Sequence, residues 1–153
     1  MSGPEAADAG FEATAARVRA SFARQAFMTA LGARLERVAP GAVEVSVPFA
    51  AAHTQQNGFL HAGALAAVAD SACGYSALTL APPDHDVLAV EFKINLLRPA
   101  TAPRFLACAR VVRAGRTLTV AMAEVFGIAD DDSRTPVATM LSTVIARRRA
   151  EIR

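Results

Sequence analysis

At 153 residues, with 53% hydrophobic content and a formal net charge of +2, the chain has the size of one domain with a real core and is short for two. Basic and acidic residues nearly balance, and Lys93 is the one lysine, which excludes the broad basic footprint of a nucleic-acid binder. Cys73 and Cys108 stand apart without C-x-x-C spacing and no charged, apolar, small-residue leader opens the chain, so a reduced, cytoplasmic protein is expected.

Residues 1–10 read as a loose polar tail. Phe11, Ala15, Val18, Phe22 and Ala26 then recur at helical spacing and predict one amphipathic helix. After Gly32 and the Pro40-Gly41 turn, Val43, Val45, Val47 and Phe49 alternate with Glu44 and Ser46, the pattern of a half-buried strand. A polar loop, "AAHTQQNGFL", leads into a helix from about His61 to Leu80, ended by Pro82-Pro83. In "VLAVEFKINLL" Leu88, Val90, Phe92, Ile94 and Leu96 alternate with polar residues, giving a second strand. Three more are expected at about 104–113, 116–128 and 136–147, separated by "RAGR" and "ADDDSR". "RRRAEIR" closes the chain as a solvated basic tail over residues 148–153, leaving one domain over 11–147.

Residues 62–81 are nearly long enough to span a bilayer. They are mostly alanine, however, and Asp70, Ser71, Gly74 and Ser76 interrupt them. A helix buried in a soluble protein fits better, and no membrane partner is expected. The short connections between the later strands imply an antiparallel meander. A five- to six-stranded sheet that must cover a helix apolar almost all round has to curl about it, giving an α+β fold of the hotdog type with an extra N-terminal helix.

Asp70 is the single charge between Ala50 and Leu78. Removing a carboxylate from water costs several kcal/mol unless it is paired, hydrogen-bonded or protonated, so its presence there needs a reason. It is either a capped structural carboxylate or a reactive group. A base or nucleophile beside free helix N-terminal amides, here those of Ala62 and Gly63, is what attack on an acyl carbonyl requires. Ala62 and Asp70 are eight residues apart, roughly 12 Å along a helix and too far to act on one carbonyl. Two such helices packed antiparallel about a two-fold axis near Ala66 bring them together. Gly63, Ala66, Ala67, Asp70 and Gly74 share one face, small apart from Asp70, which permits that approach. Cys73 has no histidine at useful spacing and reads as core. His53, His61 and His85 lack metal-ligand spacing, so neither metal nor cofactor is expected.

"HTQQNGFLHAGALAAVADSACGYSAL" resembles the signature of the PaaI-like acyl-CoA thioesterases of the hotdog superfamily, in which a polar loop, His-Gly-Gly and an Asp nine residues after the His open the central helix. His61 and Asp70 have that spacing, Ala62 replaces the first glycine, and "VEFKINLLRPA" is similar to the strand that follows. The resemblance implies an acyl-CoA substrate, Asp70 as general base or nucleophile, His61 as an orienting residue and a loop carboxamide that maps to Gln55 or Asn57. It also implies sites between protomers, commonly in a dimer of dimers. Arg98, Arg113 and Arg116, at a strand end and a turn, are candidates for the coenzyme A phosphates. Within the same fold, a binding module without turnover and a hydratase or dehydratase are the alternatives.

Overall fold

The structure is a computed structural model that describes residues 4–152, with side chains from residue 10 onward. The order is α1 (Pro4–Phe22), α2 (Ala26–Leu31), β1 (Arg34–Ala39), β2 (Ala42–Pro48), α3 (Ala62–Leu78), β3 (His85–Leu96), β4 (Arg104–Ala114), β5 (Leu118–Ile128) and β6 (Arg134–Arg148), with short 3₁₀ turns at Ala51–His53 and Arg149–Glu151. Both ends differ from the sequence expectation. Residues 1–3 of the expected tail lie outside the described residues, but α1 begins at Pro4, where a missing N–H costs a helix nothing. At the other end Arg148 completes β6. The Arg149 N–H donates to Asp84 O (3.0 Å) and its guanidinium to Pro83 O (2.7 Å). Asp84 and Asp86 pair with Arg148 and Arg149 at 3.8 and 3.6 Å. The basic stretch is therefore held by acids across from it, with Arg153 outside the described residues.

The helical periodicity that continues through Ala26 belongs to two helices. Gln25 is extended (φ −77°, ψ 97°) and breaks the run. Gly32, at φ +69°, closes α2 in the left-handed conformation, sending its own N–H back to Thr29 O, while the N–H of Ala33 reaches Met28 O.

Six antiparallel strands form one sheet in the order β1-β2-β4-β5-β6-β3. The hairpins β4–β5–β6 are the expected meander, but β3 is not part of it. The chain leaves β2, crosses as α3 and returns on the far side, where β3 pairs with β6 at the sheet edge. The stretch 97–103 then carries it back so that β4 lies beside β2. β1 escapes the periodicity reading because a bulge between Leu35 and Arg37 breaks its alternation.

α3 fills the hollow of this sheet. Val68, Ala69, Ala72 and Cys73 are wholly buried against Val43, Val45, Val47, Phe105, Ala107, Ala121, Ala123 and Ala138. Alanine on both surfaces lets the sheet close tightly over the helix. The far end of α3 is fastened by Arg17, whose guanidinium donates to the carbonyls of Leu78 (2.8 Å), Ala81 (3.0 Å) and Pro82 (2.7 Å). These satisfy carbonyls that a helix terminus otherwise leaves unpaired.

Candidate active site

His61 is the N-cap of α3. Its backbone is extended (φ −62°, ψ 139°), and its ring Nδ1 accepts from the amide of Gly63 at 2.8 Å. The accepting nitrogen must be unprotonated, which fixes the other ring nitrogen as the N–H in the neutral ring. This contact corrects one expectation: of the two first-turn donors, Gly63 is occupied by its own N-cap. Ala62 N–H has no partner among the described residues. A Cβ at Gly63 would sit 3.0 Å from the same ring nitrogen, so a side chain there pushes the ring aside.

The loop before α3 is a small hairpin. Thr54 bridges Leu60, Gln55 N–H donates to Phe59 O, and Gly58 turns the chain at φ +80°. The Gln55 side-chain oxygen accepts from the amide of Asn57, which leaves its NH₂ as the outward donor. Asn57 is exposed at the tip of the turn. His61 N–H donates to His53 O at 2.8 Å and so ties the helix start to this loop.

Asp70 lies two turns further along α3. Its Oδ1 is buried and meets no hydrogen-bond partner among the described residues, and burial pushes its carboxyl above the usual aspartate range. Burial, with the charge of Asp70 adding to it, pushes the neighbouring Cys73 thiol up to about 12, so the thiol is inert at neutral pH. The face of α3 that carries Asp70 also carries Gly63, Ala66, Ala67 and Gly74, and none of these is buried, whereas the opposite side is packed against the sheet. Gln55, Asn57, His61 and Ala62 gather at the helix start, and Asp70 stands apart from them in the same chain.

The three arginines do not form one group within a protomer. Arg98 donates to Pro136 O at 2.8 Å, near the loop, since Leu60 N–H reaches Ala100 O. Arg113 and Arg116 lie at the β4–β5 hairpin, where Arg113 opposes Val120. Phe126 opposes Pro136, so about six strand residues, roughly 20 Å, separate the two ends. Sequence reasoning also missed Ser21, Gln25, Tyr75, Asp86 and Ile152, which line a cleft of about 270 Å³ beside Asp70. The one local signal was Tyr75, the single tyrosine, on the Asp70 helix. No group of three or more potential metal ligands occurs among the described residues.

A curled antiparallel sheet around one helix, with a carboxylate on the helix's open face and an open amide at its start, is the arrangement of a hotdog-fold hydrolase acting on thioesters. The thioesterase superfamily matches residues 57–132. A thioesterase family protein from Silicibacter pomeroyi is 49% identical, with 88% of this chain and 98% of that one covered at a TM-score of 0.85. The chain therefore belongs to the thioesterase superfamily. A conserved protein from Pseudomonas aeruginosa is 28% identical over 80% of this chain and 94% of its own, with a TM-score of 0.73. The E. coli PaaI protein from the phenylacetic acid degradation operon shares the fold at 21% identity, 88% and 93% coverage and a TM-score of 0.77. Among curated proteins no match is found. No helix among the described residues is long and apolar enough to cross a membrane.

Proposed function

We propose that the protein hydrolyses acyl-CoA thioesters in the cytoplasm, at sites formed between two copies of the chain. The observation that carries this reading is the Asp70 carboxylate, buried at Oδ1, unpartnered, and set on an open face of small residues. Its Oδ1 has no hydrogen-bond partner among the described residues, whereas a second α3 laid antiparallel about Ala66 brings the opposite helix start to it. The opposing Ala62 amide then aims at the thioester oxygen as it becomes negative, aided by the positive end of the helix dipole. Asp70 activates water as general base or attacks to form a mixed anhydride. His61 holds the helix start in shape, Gln55 offers its NH₂ to the substrate from the loop, and Asn57 fixes Gln55 through its backbone amide.

The surface beside this face supports a second copy. β3 is an edge strand, and Phe92 and Leu96, paired with the inward-facing Ser142 and Ala138, are 44% and 53% exposed on the helix side of the sheet. A long edge with exposed apolar side chains needs a cover. Two such dimers then associate into a dimer of dimers.

The coenzyme's phosphates are taken by Arg98, which borders a groove of about 550 Å³ together with Phe59 and lies on the loop side of the molecule. Arg113 and Arg116 act on the same ligand only from the partner chain. The testing experiment is free-thiol release from a panel of acyl-CoA thioesters by the parent chain and by Asp70→Asn. Turnover by the parent and its loss in the variant are expected. A parent that binds but releases no thiol is instead a binding module, and one that hydrates an enoyl thioester is a hydratase.

A further inference from the structure

The cleft beside Asp70 has walls from the α1–α2 junction, from α3, from β3 and from the C-terminal segment, whose contribution is Ile152. A thioester carbonyl presented to Asp70 leaves its acyl group next to this space. On the β3 wall Val87 and Ala89 lie on the helix side of the sheet, since they pair with Ala146 and the buried Val144. Four of the cleft's polar side chains pair off among themselves. Ser21 Oγ and Tyr75 Oη are 3.3 Å apart, and Ser71 Oγ donates to Gln25 Oε1 at 3.2 Å. Asp70 and Asp86 are the remaining polar lining, and an apolar acyl group fits against Leu78, Val87, Leu88, Ala89 and Ile152.

Size is the selective property. The volume, about 270 Å³, falls just under the roughly 300 Å³ at which drug-sized sites begin and above the roughly 150 Å³ that encloses a benzene ring. The wall that limits it is no loose chain end. Arg149 is fixed to Pro83, Asp84 and Asp86, and Ile152 N–H donates back to Arg149 O at 3.2 Å. We propose that this cleft is the acyl pocket and that Ile152 sets its upper size, so that the protein acts on acyl groups up to about the bulk of one ring and rejects long fatty chains. The proposal rests on the thioesterase reading above.

The test is kcat/KM for acetyl-, butanoyl-, hexanoyl-, octanoyl- and dodecanoyl-CoA, measured on the full chain and on Ile152→Ala and Ile152→Phe. The parent should favour the shorter members. Ile152→Ala should raise the dodecanoyl-to-butanoyl ratio at least about tenfold, the order expected when room for extra methylenes opens in an apolar pocket, and Ile152→Phe should lower it and favour acetyl-CoA. A merely structural role for Ile152 lowers all five together and leaves the ratio unmoved, which overturns the proposal. A parent that cleaves dodecanoyl- and butanoyl-CoA equally well overturns the pocket alone, and one that releases thiol neither from these five nor from benzoyl- and phenylacetyl-CoA overturns the thioesterase reading with it.

Discussion

Folding moves the Asp70 carboxyl out of water and gives its Oδ1 no donor among the described residues, which raises its pKa. For an acid, a raised folded value means that the native protomer holds the proton more tightly than the unfolded chain. Stability from this group therefore grows as pH falls through the folded value, and the ionised form weighs against folding at neutral pH. Asp70→Asn removes that weight while keeping the shape, so at pH 7 it should melt no lower than the parent and yet lose at least about a hundredfold in thiol release. A variant that melts well below the parent, or one that keeps near-normal rates, contradicts the role given to Asp70. If the Asp70 carboxylate does the chemistry as proposed, the acid limb of the rate profile should fall away above the ordinary aspartate range, and it should vanish with any residual activity of the variant. His61→Ala removes an N-cap acceptor, a loss of about 1 kcal/mol in a denaturant titration. Its rate, like that of Gln55→Ala, should fall less than that of Asp70→Asn if both residues position the substrate as proposed and neither reacts. Asp70 was legible in the sequence because one charge in a long apolar run is conspicuous. Gln25 and Ile152 were not, because only tertiary packing brings them to the cleft.

α3 could be read almost to the residue from its composition and the Pro82-Pro83 stop, and His61 proved to be its cap rather than its first turn. The sheet was harder. β4, β5 and β6 follow from turn signals, but no local pattern encodes that β3 pairs with β6 and lets β4 slip in beside β2. The tight fit of helix to sheet depends on Phe105, wholly buried among alanines and valines. Phe105→Ala should cost about 3–5 kcal/mol in chemical denaturation, and a loss under about 1 kcal/mol would mean that the sheet closes over the gap more easily than this packing allows. The arginines are likewise decided at the level of elements, since Arg98 and the Arg113–Arg116 hairpin stand at opposite ends of their strands. Arg98→Ala should raise the apparent KM for an acyl-CoA about tenfold, the worth of a charged hydrogen bond. A pantetheine thioester, which lacks the nucleotide, should feel little. Equal effects on both would assign Arg98 to its contact with Pro136 O.

In the whole molecule the two halves of the proposed site are held apart along one helix. The helix start, with His61, Gln55 and the Ala62 amide, and the Asp70 carboxylate are roughly 12 Å apart along α3, while the open side of that helix and the apolar edge of β3 lie together on one surface. In the arrangement proposed here, a second copy across that surface would complete two sites at once, each taking Asp70 from one chain and the helix start from the other. The most direct measurement co-refolds Asp70→Asn with a chain carrying Gln55→Ala and His61→Ala, and compares thiol release with that of each variant refolded alone. In a mixed dimer one site inherits every lesion and the other none. Random pairing makes about half the dimers mixed, so roughly a quarter of the parent's activity should return. No recovery, with mixed dimers demonstrated by mass spectrometry, would place the whole site within one chain and contradict the shared site.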